Sequence, residues 1–302
     1  MIIDSHVHLV TAGMIKQAKK SWDKLYPGVM DRAMKKERGL INREMVEFLG
    51  RNGVESLARI WVEELDRNGI DRAFFLPIRG DSVGELDEFV SIHPERFTGY
   101  AMLDNPEKKS AVKTFRKWLS TGRIRGLKLY PCLQMVSIAD KRLFPIYETA
   151  AEFNAPVLIH FGITHAPVSD YRYTNPMDLQ LPSKLFPDTT FIMAHFGAGY
   201  FREALLLGFH SENIYLDTSG TNNWRTFLPG VMPLAEIFRR AIDVYGARKI
   251  LYGTDTALNG KTGYRTFVLE EQRAALAEIG LDEEKRAMIM GGNAERLFGT
   301  LG

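Results

Sequence analysis

M-I-I-D-S-H-V-H-L-V-T, residues 1–11, is the stretch on which the fold turns. Met1 to Val7 reads as a short, largely apolar strand. In an open sheet that binds a dinucleotide, such a first strand runs into G-x-G-x-x-G. Here His8, Leu9, Val10 and Thr11 follow instead. The open-sheet dinucleotide reading is therefore excluded, and the question becomes how many more strands of this kind the chain holds.

Seven more apolar runs follow: Ala73 to Ile78, Phe97 to Leu103, Gly126 to Tyr130, Ala155 to Phe161, Thr190 to Phe196, Asn213 to Asp217 and Lys249 to Gly253. Several are continuously apolar, as strands of a parallel sheet covered by helices are. Amphipathic segments lie between them: Ser56 to Asn68, Ser110 to Ser120, Lys141 to Phe153, Pro233 to Tyr245 and Thr266 to Ile279. Eight βα units predict an α/β fold, a closed (β/α)8 TIM barrel. A chain of 302 residues with 45% hydrophobic content suits one barrel domain spanning residues 1–302. Asp282 to Phe298 reads as a last helical layer closing the barrel. Residues 11–55 are too long for a plain βα loop and rich in Lys and Arg, which predicts a helical insertion. Its position after a barrel strand suits either a solvated helical pair or a lid that offers Arg or Lys to an anionic substrate.

A net charge of +2 and a 25% charged content do not supply the basic footprint of a nucleic-acid binder. No run approaches the roughly 20 apolar residues of a membrane span. With Cys132 alone there is no intrachain disulfide, and no leader pattern precedes Asp4. The expectation is a cytoplasmic protein that acts on a small molecule, without nucleic-acid or membrane partners.

Side chains two apart on a strand share a face, so His6 and His8 project together. Imidazole nitrogens bind zinc at about 2.0 to 2.1 Å, and a site needs ligands from elsewhere in the fold. His160 ends P-V-L-I-H, His195 follows F-I-M-A, and Asp255 ends Y-G-T-D. Catalytic groups of such barrels come from the carboxyl ends of different strands. Four of seven histidines, with an acid, occupy those ends, which is the pattern of a metal site. His93 and His210 precede strands and read as structural, and His165 reads as a surface hydrogen-bonder in the loop after the fifth strand. Nothing beside Cys132 argues for a reactive thiol. Arg79, Tyr130, Gln134, Asn222, Asn223, Trp224 and Arg225 follow strands two, four and seven. Arg79, Tyr130, Gln134, Asn223 and Trp224 are the candidate substrate contacts.

D-S-H-V-H (4–8), G-L-K-L-Y-P (126–131), P-V-L-I-H-F-G (156–162), A-H-F-G (194–197), N-I-Y-L-D-T-S-G (213–220), Y-G-T-D (252–255) and G-G-N-A-E-R-L-F (291–298) occur in this order over nearly the whole chain. In that order and spacing they resemble the amidohydrolase superfamily. More narrowly, they are similar to the amidohydrolase-2 group, which contains aminocarboxymuconate-semialdehyde decarboxylase, resorcylate decarboxylase and oxalomesaconate hydratase. The resemblance implies that His6, His8, His160 and Asp255 bind one divalent metal, most often zinc in this group, with His195 and Asp255 as catalytic residues. A homodimer would be common for the group.

In binuclear members of the superfamily the sixth-strand histidine instead binds a second metal. The run through Lys128 also resembles the dihydroorotase segment whose lysine is carboxylated and bridges two metals. Lys128 and His195 are thus the candidates for a second metal or for substrate binding, and an uncarboxylated Lys128 pairing with Asp255 or with a substrate carboxylate is preferred. TatD-like nucleases place an acid where Lys128 stands, which disfavours that reading.

The resemblance implies hydrolysis of an amide or ester bond (C–N or C–O) of a small carboxylated substrate by metal-activated water. Non-oxidative decarboxylation or hydration of an aromatic or unsaturated acid is the alternative. A non-catalytic, metal-stabilised binding barrel is the alternative of another class, favoured only if a ligand position were lost.

Overall fold

The computed structural model describes residues 1–35, 42–260 and 263–299. Nine strands are present: β1 (Ile3–His8), β2 (Arg72–Leu76), β3 (Phe97–Met102), β4 (Ile124–Leu129), β5 (Val157–Ile159), β6 (Phe191–Met193), β7 (Ile214–Asp217), β8 (Ile250–Leu251) and β9 (Thr256–Ala257). All neighbours pair in parallel, in the order β8-β7-β6-β5-β4-β3-β2-β1-β9. Each of the eight apolar runs overlaps one of β1 to β8. The last barrel strand is interrupted: β8 pairs with β7, the chain bulges through Tyr252 to Asp255, and β9 pairs with β1. Ser5 N donates to Tyr252 O at 2.9 Å and Asp255 N to His6 O at 2.8 Å, closing the ring across this seam. The fold is a TIM barrel.

Two apolar layers hold it. Ile3, Phe74, Leu76, Tyr100, Leu158, Ile192 and Leu251 fill the barrel with Ala294 and Phe298 of the C-terminal segment. Phe298 packs edge-on against Phe74 at 4.7 Å between ring centroids. Asn293 Nδ2 donates to the carbonyls of Ala247 and Ile250, fixing the entry to β8. Outside the strands, Phe75, Phe89 and Phe97 pack on Trp61 and the surrounding helices. Burial on both faces explains why these strands read as continuous apolar runs.

β1 does not alternate simply. Ile3 belongs to the interior layer and Val7 to the outer one, although they are an even number of residues apart. An irregularity in the pairing with β2 between Asp4 and Val7 reverses the phase, as a bulge does. His6 thereby reaches the interior side chains beyond the apolar plug.

Residues 12–51 contain three helices, Ala12–Leu25, Val29–Met34 and Arg43–Arg51, with residues 36–41 of the expected insertion lying outside the described residues. Thr11 caps the first, its hydroxyl accepting from Met14 N, and Asn42 caps the third by accepting from Met45 N. Met14, Ile15, Ala18 and Trp22 form the buried stripe of the first helix, and Met45 and Leu49 that of the third. Among the described residues, the lysines and arginines of these three helices are exposed or half-buried, on the faces away from the apolar stripes. Among the described residues no helix is long and apolar enough to cross a membrane.

Gly162, directly after the β5 end, shows what the carboxyl rim requires. Its φ is +75°, and a Cβ there would run into the Ala198 carbonyl, which accepts from Ile163 N at 3.0 Å. Gly162→Ala is therefore expected to lower stability by about 1–3 kcal/mol, from backbone strain and overpacking together. Urea unfolding measures this; an unchanged midpoint would show that the rim tolerates a side chain there.

Candidate metal centre

The carboxyl ends of the strands deliver the polar groups to one place. His6 and His8 end β1, Lys128 lies in β4, His160 follows β5, His195 follows β6, Asp217 ends β7 and Asp255 precedes β9. His195 and Asp255 have φ of +57° and +58°, a left-handed conformation uncommon for residues with a Cβ. Such backbone persists where the surroundings over-determine it, characteristically at functional sites.

His6, His195 and Asp255 each present one ligand atom within 4.8 Å of the others. His6 Nε2 lies 3.6 Å and His8 Nε2 3.1 Å from Asp255 Oδ1. His160 Nδ1 lies 3.1 Å from His195 Nε2. The structure thus gathers all four strand-end histidines and Asp255. His195, which the sequence-based ligand set left out, is thus drawn in beside His6 and Asp255 by the left-handed turn after β6.

Hydrogen bonds fix where the protons lie. His6 Nδ1 donates to Asp217 Oδ2 at 2.5 Å, so Nε2 keeps its lone pair, and that atom is buried without a hydrogen-bond partner. His160 Nε2 donates to Ile163 O at 2.9 Å, leaving the Nδ1 lone pair toward His195. An imidazole anchored through one nitrogen with the other bare is the arrangement of a metal-ligating histidine. Converging imidazole lone pairs around a carboxylate oxygen fit a divalent cation, and the site residues present suit one.

The electrostatics agree. Burial pushes the His6 imidazole down to about 3, against the pull of Asp217, and burial likewise lowers His160 and His195. These rings are neutral near pH 7, as ligands must be. Burial alone would raise Asp255, but the His8 hydrogen bond, His195 and Arg265 hold it well below the usual carboxylate range. Arg265 Nη1 approaches Asp255 Oδ2 at 3.4 Å.

Lys128 is 1% exposed, and its Nζ has no hydrogen-bond partner. Burial lowers it to about 8, while Asp217 and Asp255 pull it upward. The expected direct pairing of Lys128 with Asp255 is absent: the ammonium group sits 5.6 Å above the Tyr130 ring instead.

The candidate substrate contacts separate. Tyr130 joins the cluster, its ring centroid 4.1 Å from that of His160 and its hydroxyl bonded to Thr164. Gln134 spends its amide on Tyr130 N and Leu103 O, at 2.7 and 2.6 Å. Arg79 is engaged by Asp81 and Asp104, at 3.2 and 3.3 Å. Trp224 is buried beside Phe196 and Phe201, and Asn223 is exposed at the start of its turn. His165 is exposed.

Sequence reasoning passed over Asp217, Ser219 and Arg265. D-T-S at the end of β7 held the signal for the first two, since residues two apart on a strand share a face. Arg265 lies in a loop and carried none.

Buried neutral histidines bind fewer protons than the unfolded chain between their lowered values and about 6.5, so stability rises with pH over that window. Asp4, pushed by burial up to about 7, titrates the opposite way and offsets part of this. With three lowered histidines against one raised acid, the urea midpoint of the metal-free protein is expected to fall as pH drops from 7 to 5. A midpoint rising over that range would contradict the burial of the imidazoles as neutral rings.

The amidohydrolase family model of the amidohydrolase-2 type matches residues 3–300. None of the curated proteins matches the chain in sequence. Among solved structures, 5-carboxyvanillate decarboxylase from Sphingomonas paucimobilis superposes with a TM-score of 0.69 at 16% identity, covering 98% of each chain. An amidohydrolase from Burkholderia multivorans with bound zinc gives 0.66 at 15% identity, covering 99% of each. The 4-oxalomesaconate hydratase of Rhodopseudomonas palustris gives 0.62 at 19%, covering 99% of this chain and 95% of its own. At these identities the structures establish the shared barrel, while the family model spans nearly every residue that builds the site. The chain belongs to the amidohydrolase-2 family.

Proposed function

We propose that this protein is a metal-dependent enzyme that hydrolyses an amide or ester bond of a small carboxylated substrate. The observation that carries the reading is the bare, buried Nε2 of His6 facing Asp255 and His195, with His8 and His160 flanking them. His6, His8, His160 and Asp255 are the residues that would hold the cation, with His195 beside them as the proton carrier. Zinc is the metal proposed, in keeping with the zinc of the Burkholderia multivorans neighbour. A divalent cation there would polarise a carbonyl and lower the proton affinity of a water.

The protein's own groups set the direction of proton flow. His195 is buried and neutral near pH 7, so its bare ring nitrogen can take a proton from an attacking water, and its lowered proton affinity then favours passing that proton on to the leaving group. Asp255, held in its charged form by His8 and Arg265, stabilises positive charge that develops beside it. Arg265 also lines a cavity of about 380 Å³ with Met45, Thr221, Ala257, Asn259 and Tyr264. That volume suits a small molecule. Arg265 and the unpartnered Lys128 are the cations proposed to meet a substrate carboxylate. Met45 comes from the third inserted helix, which supports a lid role for residues 11–55.

Decarboxylation is the second reading, favoured by Lys128: a buried ammonium without a carboxylate bonded to it suits a substrate that carries one. The names of the S. paucimobilis and R. palustris neighbours point to carboxylated unsaturated substrates, for a decarboxylase and a hydratase respectively.

Zinc-loaded enzyme is expected to open carboxylated lactams, lactones or amides without releasing carbon dioxide; catalytic release from carboxylated aromatics would replace hydrolysis by the second reading. His195→Gln is expected to lower kcat roughly 10²- to 10⁴-fold in such an assay, the usual contribution of a positioned proton carrier. His8→Ala and Asp255→Ala should each lose stoichiometric zinc in metal analysis. Retention of full metal and activity in both would remove the metal-centre reading altogether.

A further inference from the structure

Ser219 lies one turn of the chain beyond β7, fully buried, and its hydroxyl oxygen touches three site residues. It is 2.8 Å from His195 Nδ1 and 3.0 Å from His6 Nδ1, and it donates to Asp217 Oδ1. Asp217 Oδ1 also accepts from Ser219 N at 2.6 Å and from His195 N at 3.3 Å, so the carboxylate and the serine are held from both ends. Gly253 packs behind them: a Cβ there would sit 3.0 Å from the Cβ atoms of both His6 and Ser219.

A hydroxyl has one proton and two lone pairs. The charged Asp217 oxygen is the stronger acceptor and takes that proton, since hydrogen bonds to an ionised acceptor are roughly twice as strong as neutral ones. The Ser219 oxygen can then only accept from His195, which requires a proton on His195 Nδ1. His195 Nε2 is left with its lone pair, 3.1 Å from His160 Nδ1, whose own lone pair is bare because Nε2 of that ring donates to Ile163 O. Two lone pairs facing each other at this distance repel, and a cation held by the His160 nitrogen relieves that repulsion. If the His195 proton sat on Nε2 instead, the two rings would bond to each other and the inner face would close.

We infer that Ser219 is a positioning residue that relays the charge of Asp217 to His195, fixing the Nδ1-protonated tautomer and keeping the inner face open to a cation. This rests on the metal-dependent reading above. Asp217 acts on His6 directly and on His195 through one hydroxyl, so a single carboxylate sets the tautomer of two imidazoles on opposite sides of the barrel seam.

Long-range ¹⁵N–¹H correlation NMR of the histidine rings, before and after zinc addition, reads the tautomer, with His195 assigned by the loss of its signals in His195→Gln. The unaltered chain is expected to carry the His195 proton on Nδ1, and Ser219→Ala to shift it to Nε2. Zinc affinity of Ser219→Ala, measured by chelator competition, should fall about 10- to 100-fold, the usual consequence of losing a ligand's supporting partner. A proton on Nε2 in the unaltered chain, or the same tautomer in both proteins, overturns the inference. The first of these needs no variant and stands whether or not Ser219→Ala folds. Failure of the unaltered chain to take up zinc would strike the metal-dependent reading, while the tautomer would still decide the role of Ser219.

Discussion

The buried carboxylate of Asp217 is the constraint around which the site is arranged. A charge removed from water needs several donors or it destabilises the fold, and here His6 Nδ1, the Ser219 amide and hydroxyl, and the His195 amide supply them. These donors come from β1, the turn after β6 and the turn after β7. Satisfying one charge therefore ties three parts of the rim together and orients the rings of the two imidazoles nearest it. Burial works against charging Asp217, and the hydrogen bonds and charges around it overcome that and hold it as a carboxylate.

The rim depends equally on backbone that ordinary strands do not adopt. The bulge in β1 turns His6 inward after Ile3 has already been used as interior packing. The interruption between β8 and β9 lets Asp255 leave the ladder in a left-handed conformation while its amide still bonds to His6 O. Asp4 stabilises that interruption, accepting from Thr254 N and from the hydroxyls of Thr254 and Tyr264, the distances running from 2.5 to 3.1 Å. The apolar plug below, with Phe74, Tyr100 and Phe298, gives these departures a rigid floor.

Charge is distributed unevenly over the finished site. Asp255 and Asp217 are held ionised, the His6, His160 and His195 imidazoles neutral, and Lys128 is buried with an ammonium that no described residue bonds. Arg265 neutralises Asp255 from the pocket side, where the inserted helix brings Met45. The cavity therefore carries a guanidinium on the wall next to the metal-centre cluster.

Much of this was legible in the chain alone. The eight apolar runs predicted the strands, because burial on both faces of a parallel sheet writes a continuous apolar signal. The insertion was legible from its length, too great for a plain βα loop, and from its lysines and arginines. His6, His8, His160, His195 and Asp255 were legible because each ends such a run. Tertiary structure decided the rest. Asp217 and Ser219 look like the polar end of any strand until β1 and β6 are placed beside them. Arg79, Gln134 and Trp224 follow strands as substrate contacts would, yet they bond to loop acids, to backbone and to an aromatic cluster that the sequence does not place near them. Local sequence reports which way a residue faces on its own element, through periodicity and burial. Which groups share a proton depends on distances of about 3 Å between elements that lie more than 200 residues apart in the chain, and only the closed barrel sets those.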